Sequence, residues 1–146
     1  MDFLRQALVG GSAAICNIAI HALIMTLVIQ AAQTASALRV SHRSVYIAGV
    51  MIAVVSVLMA AHAIEVLVWA TIYAIVGAAP EGSGLVYFAF VNYTTLGYGD
   101  ITPVAQWQLL GPITAMNGIL LFGWSTAVIF EVLRRSLELS PAANKH

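Results

Sequence analysis

The sequence predicts an all-α membrane protein with three transmembrane helices and one short re-entrant segment. Three observations carry that reading. Of 146 residues, 61% are hydrophobic and only 8% charged, a balance suited to lipid rather than water. Three apolar runs are each long enough to cross a hydrocarbon core of about 30 Å as a helix. A fourth apolar stretch, Leu85 to Thr94, is too short to cross. It leads into Thr94-Thr95-Leu96-Gly97-Tyr98-Gly99-Asp100, which no continuous helix accommodates. Non-helical backbone at membrane depth survives only where protein buries it or where it lines a water-filled path.

The first span runs from about Val9 to Ala32 and contains Ser12, Asn17, His21 and Thr26. These polar groups should face protein, because lipid offers them no partner. The run is too long for a signal-peptide core, so it reads as a retained span. Cys16 is the single cysteine, which leaves no internal disulfide and makes a packed thiol the natural reading. Residues 33–44 are polar, with Arg39, His42 and Arg43, and read as a loop. The second span runs from about Val45 to Val76, longer than a crossing requires, so it should tilt or project. Trp69 and Tyr73 suit its interfacial end.

Gly77 to Gly84 is loop chemistry throughout. The third span runs from about Leu109 to Leu133, with Trp107 before it and Arg134-Arg135 after it. Pro112 falls near its start, where proline costs least. A short polar tail follows, from Ser136 to His146.

Positive charge sets the orientation. Arg39, Arg43, Arg134, Arg135 and Lys145 fall on one side if residues 85–103 turn back rather than cross. The 33–44 loop and the C-terminus are then cytoplasmic, and the N-terminus and re-entrant loop external. A plasma (inner) membrane location fits this pattern. The zero formal net charge leaves no basic footprint for nucleic acid.

Residues 85–103, Leu-Val-Tyr-Phe-Ala-Phe-Val-Asn-Tyr-Thr-Thr-Leu-Gly-Tyr-Gly-Asp-Ile-Thr-Pro, resemble the pore helix, filter and outer mouth of tetrameric potassium channels. The flanking spans resemble that family's outer and inner helices. The resemblance covers about residues 45–135 and implies a pore domain there. Residues 1–44 are then an added N-terminal helix with a cytoplasmic linker, and 136–146 a short cytoplasmic tail. The fold class becomes three transmembrane helices with a re-entrant pore helix and selectivity-filter loop. One chain supplies one filter segment, and no internal repeat supplies more, so the expected assembly is a homotetramer with three identical partner subunits in a lipid bilayer.

The chemistry explains the residue types. Rings of backbone carbonyls replace the hydration shell of a potassium ion. Aiming successive carbonyls the same way demands alternating backbone conformations, which glycine adopts freely. By resemblance, potassium binds at Thr95, Leu96, Gly97 and Tyr98 through their carbonyls, with the Thr95 hydroxyl as the innermost ring and Gly99 completing the filter. Thr94 leads in, Tyr98 packs outward, and Asp100 sits behind the outer mouth. Potassium is the permeant ion and no cofactor is implied. Three departures stand out: Leu96 where valine is commonest, Tyr87-Phe88 where many members carry paired tryptophans, and Val91 where some carry glutamate. Tyr87 is placed to hydrogen-bond Asp100.

Gly118 to Gly123 resembles the family's glycine-hinge region. Ile119, Phe122, Thr126 and Phe130 recur at helical spacing and share a face. They are candidates to line a cavity with Phe130 as its constriction, since a hydrophobic ring can gate by dewetting. Ordinary helix packing accounts for the same spacing. His62 and Glu65 share a helix face. They read as a polar contact to Asn17 or His21, a pH sensor, or, with His21, a metal site. Glu131 reads as a salt bridge to Arg134 and Arg135, or as part of a carboxylate ring at the inner mouth. No span carries a regular arginine series of the voltage-sensing kind. One cysteine and four scattered histidines make no catalytic set, so no enzyme is expected.

The function expected is passive, potassium-selective conduction. Alternatives are a less selective cation channel, an intramembrane metal-dependent protein built on His21, His62 and Glu65, and a non-conducting regulatory subunit.

Overall fold

The structure is a computed structural model and describes residues 2–35 and 43–138. Four α-helices account for most of them: α1 (Asp2–Ala35), α2 (Arg43–Val76), α3 (Leu85–Tyr93) and α4 (Leu110–Glu138). A 3₁₀ turn at Ala105–Trp107 precedes α4. No strand occurs among the described residues. Three segments are long and apolar enough to cross a membrane: Phe3–Thr34, Ser44–Val76 and Ala105–Leu137. The protein is an integral membrane protein.

Helix α1 is longer than the span read from hydropathy. It starts at Asp2 rather than near Val9 and ends at Ala35, because the flanking Phe3, Leu4 and Gln6 are compatible with helix although only part of the run is continuously apolar. At 34 residues each, α1 and α2 extend about 50 Å, so both outreach a typical hydrocarbon core. Helix α4 runs on to Glu138 and takes up the first part of the expected tail. Arg39, His42 and Lys145 lie outside the described residues.

The ends of these elements follow from local chemistry. Gly77 has φ +65°, and the Ala78 amide donates to the Tyr73 carbonyl at 3.0 Å. That is a Schellman closure of α2. Pro80 then prevents resumption. Helix α3 opens at Gly84 and ends at Thr94. Beyond residues 94–100 the chain comes back to its starting level, because the Val104 amide donates to the Ala78 carbonyl at 2.9 Å. The segment between α2 and α4 therefore re-enters and does not cross.

The packing has three layers along the helices. At the re-entrant end an apolar cluster joins Ala13, Val66, Trp69, Tyr73, Phe88, Tyr93, Trp107 and Leu110. At the opposite end a second cluster joins Met25 and Val28 of α1, Val54 and Leu58 of α2, and Val128 and Val132 of α4. Between them lies a polar layer: Asn17, His21, Glu65, Asn117 and Ser125, all buried. Helix α1 is thus a full member of the core. Its N-terminal end also grips the start of α4. The Gln6 side-chain oxygen accepts from the Leu109 amide at 2.8 Å, and the Arg5 guanidinium lies 4.5 Å from the centre of the Trp107 ring, a cation–π distance.

Candidate functional site: the re-entrant loop

The loop begins where α3 stops. Thr94 is the last residue in right-handed helical conformation, with φ −82° and ψ −2°. Thr95 then turns to φ +60°. Around it the Thr95 amide donates to the Asn92 carbonyl at 3.1 Å and the Leu96 amide to the Val91 carbonyl at 3.0 Å. These two bonds are the 5→2 and 6→1 pair of a Schellman motif. The left-handed position of such a motif normally carries glycine, and a β-branched residue there is a genuine outlier. Strain of this kind persists where the surroundings hold it and concentrates at functional sites.

Left-handed backbone recurs with period two beyond that point. Gly97 has φ +57° and Gly99 φ +77°, while Leu96 and Tyr98 are not in this region. Glycine takes the left-handed position at no steric cost, which lets the hand of the backbone alternate along this run. The Gly97 amide also leans on the Val91 carbonyl at 3.4 Å, which anchors the run to the end of α3. Val91 itself is buried. Residues 94–100 are all exposed on a single chain, with Leu96 54% and Tyr98 67% accessible. Behind the loop the Tyr87 hydroxyl donates to Asp100 Oδ2 at 2.7 Å. That carboxylate holds the Tyr87 phenol above its usual range.

A backbone run of this shape, re-entrant between two spans, has a counterpart among known families. The family model described as ion channel matches residues 61–135. The chain belongs to the ion channel family. The match covers the second half of α2, the pore helix α3, the loop and α4, which is the two-span pore module of the potassium-channel type. No curated protein and no solved structure matches the chain.

In this channel protein the pore helix is wedged against α4 at one residue. A Cβ at Gly118 would stand 2.0 Å from the Tyr93 carbonyl oxygen. Gly118 is buried in that contact rather than turned toward an open face, so it seats the pore helix. Ile119, Thr126 and Phe130 are exposed on a single chain, Phe130 by 67%. Phe122 is partly taken up by packing, its ring centroid 4.6 Å from that of His62 and 5.4 Å from that of Tyr93. Nothing lies close to Gly123. Glu131 accepts from Arg134 Nη2 at 2.9 Å and from Arg135 Nε at 2.5 Å, within its own helix.

The polar layer brings His21, His62 and Glu65 together. His21 Nδ1 is 2.7 Å from Glu65 Oε1, and His62 Nδ1 is 3.0 Å from Glu65 Oε2. Sequence reading placed these three and Asn17 in reach of one another but missed Tyr93, Ser125, Asn117 and Trp69. The Tyr93 hydroxyl donates to Glu65 Oε2 and lies 2.9 Å from His62 Nδ1. Ser125 Oγ is 3.0 Å from His62 Nε2 and 3.3 Å from His21 Nε2. Asn17 donates to the Glu65 carbonyl at 3.2 Å and to Asn117 Oδ1 at 3.2 Å, which also accepts from Trp69 at 3.1 Å. Tyr93 and Ser125 read in sequence as an aromatic and a small polar residue of their own segments. The only signal pointing to them is that a membrane-buried glutamate needs donors.

Proposed function

We propose that the chain assembles as a homotetramer whose four re-entrant loops form an axial filter that conducts potassium passively and selectively. The observation that carries this is the period-two left-handed backbone at Thr95, Gly97 and Gly99 on a loop left exposed by its own chain. A single copy of such a loop cannot enclose an ion, whereas four around an axis stack their carbonyls into rings that replace water around it. Thr95, Leu96, Gly97 and Tyr98 supply the carbonyls, and the Thr95 hydroxyl the innermost ring. Asp100 and Tyr87 brace the outer mouth from behind. Ile119, Thr126 and Phe130 line the route below, with Phe130 its narrowest ring. The N-terminus and loop face outward and the C-terminus the cytoplasm of a plasma membrane, following the positive charge of residues 39–43 and 134–135. The electrochemical gradient drives the flux and no covalent step occurs.

Reconstitution in liposomes tests this reading. Potassium flux that barium blocks, with sodium excluded, is the expected result. Flux that does not discriminate the two ions would replace the selective reading by a general cation channel. Gly99→Ala, which puts a side chain on a left-handed position, is expected to abolish selective flux while the assembly still forms.

A further inference from the structure

The buried cluster in the polar layer has a proton inventory that does not balance in its simplest state. Glu65 faces donors from three elements: His21 of α1, His62 of α2 and Tyr93 of the pore helix. With Glu65 ionised, both imidazoles carry their proton on Nδ1, toward the carboxylate. That leaves two Nε2 lone pairs facing one hydroxyl, Ser125, at 3.0 and 3.3 Å. One hydroxyl proton cannot serve two acceptors. One additional proton, on an imidazole or on the Glu65 carboxyl, satisfies every acceptor, and so does a cation bound on the Nδ1 side of both rings.

We propose that the centre is a divalent transition-metal site, of the kind that takes zinc, with His21 Nδ1, His62 Nδ1, a Glu65 oxygen and the Tyr93 phenol oxygen as its four ligands. The ligand atoms of His21, His62 and Glu65 lie within 4.8 Å of one another. A tetrahedral zinc site sets ligand atoms about 3.3 Å apart; His21 Nδ1 and His62 Nδ1 now hold different Glu65 oxygens at 2.7 and 3.0 Å, so the side chains open these contacts and converge on one oxygen as the ion enters. Metal on both Nδ1 atoms moves both ring protons to Nε2. Ser125 Oγ, with two lone pairs, then accepts from both rings. This is the outer-shell arrangement that orients metal-bound histidines. Charge also balances. Starting from ionised Glu65 with one additional proton on the histidine pair, the ion displaces that proton and the Tyr93 phenol proton. Two positive charges leave and two arrive, so the layer stays neutral between its two apolar clusters. The two imidazole nitrogens select a zinc-like ion over potassium, which takes oxygen ligands.

The site stands apart from the filter and independently of the conduction proposed above, but it touches the same helix. Tyr93 ends α3 and its carbonyl rests on Gly118. An ion there fastens α1, α2 and the pore helix at one point.

Elemental analysis of the purified full-length protein decides the matter. Protein stripped with a chelator, loaded with zinc sulfate and desalted is expected to retain one zinc per chain and to melt at a higher temperature than the stripped form. Loaded with cobalt(II) instead, it is expected to show the intense visible bands of tetrahedral coordination. Tyr93→Phe, which removes one oxygen and keeps the ring, should alter that spectrum. Ser125→Ala should weaken zinc binding about 10- to 100-fold, and Glu65→Gln should abolish it. The proposal is overturned if the wild-type protein retains no zinc above background. It is equally overturned if the Tyr93, Ser125 and Glu65 variants all retain zinc as the wild type does, or if Tyr93→Phe and Ser125→Ala fold and leave binding and the cobalt spectrum unchanged. No conduction measurement enters, so this outcome and that of the flux experiment are read separately.

Discussion

Thr95 is the residue where two demands meet. As the left-handed residue of a Schellman motif it would be better as glycine, since an L-residue there costs roughly 1–2 kcal/mol and glycine's own entropic penalty of about 0.5–1 kcal/mol offsets only part of that. Thr95→Gly is therefore expected to leave stability unchanged or raise it by up to about 1 kcal/mol per chain, while selective flux is lost with the hydroxyl ring. Thr95→Ser keeps the hydroxyl and should keep selectivity. Thermal melting measured beside potassium and sodium flux separates the two effects; a selective Thr95→Gly channel would show that the hydroxyl is dispensable. Tyr87 acts at the same scale. Its phenol is held above the usual range by Asp100, so the neutral donor form is present at and below an ordinary tyrosine pKa of about 10. The contact is lost only as pH rises through the raised value. Tyr87→Phe should shorten sustained flux without changing selectivity, and the difference from wild type should stay constant between pH 6 and 9, roughly, since neither form titrates there. The identities at these positions were legible in sequence, and so was the pairing of Tyr87 with Asp100. The left-handed turn at Thr95 was not, because threonine's local preference argues against it and only the helix end it terminates imposes it.

At the scale of elements, the spans, the short pore helix and the re-entrant loop could be read from hydropathy and from the glycines. Helix ends were less legible, as α1 shows by starting at Asp2, since hydropathy reports lipid contact and not hydrogen bonding. Gly118 shows a different gap. Its place in a glycine-hinge-like stretch suggested a hinge or gate, but helical spacing cannot say what stands opposite a residue. Here it is the Tyr93 backbone, with 2.0 Å to a hypothetical Cβ. Backbone cannot rotate away as a side chain can. Gly118→Ala is thus expected to cost about 3 kcal/mol, the upper end for overpacking, and to lower both melting temperature and yield of assembled protein. Gly123→Ala, with open space around it, should be nearly neutral for stability in the same melting experiment. The role of α1 was the least legible part. Asn17 and His21 announced that it faces protein, but their partners lie 44 to 104 residues away, beyond any periodicity.

For the whole molecule, the loop exposed on one chain is an unfinished surface. Residues 94–100 carry Leu96 and Tyr98 into the open, and α4 also leaves Met116, Ile119, Leu120 and Phe130 exposed along its length. Lipid could cover apolar side chains but not backbone polar groups outside a helix, which need water, ions or another subunit. Cyclic symmetry gives each copy the same surroundings and closes the ring, and subunit number fixes how the assembly responds to one defective member. In liposomes made from equal amounts of wild-type and Gly99→Ala chains, co-expressed so that they assemble at random, a tetramer intolerant of any altered loop leaves about one-sixteenth of channels fully wild type. Selective flux should fall to about that fraction of the wild-type value. A dimer would leave about one quarter under the same rule, and independent single-chain conductors about one half. The titration thus counts the loops around one ion path, and a residual flux near one half would dismantle the axial filter.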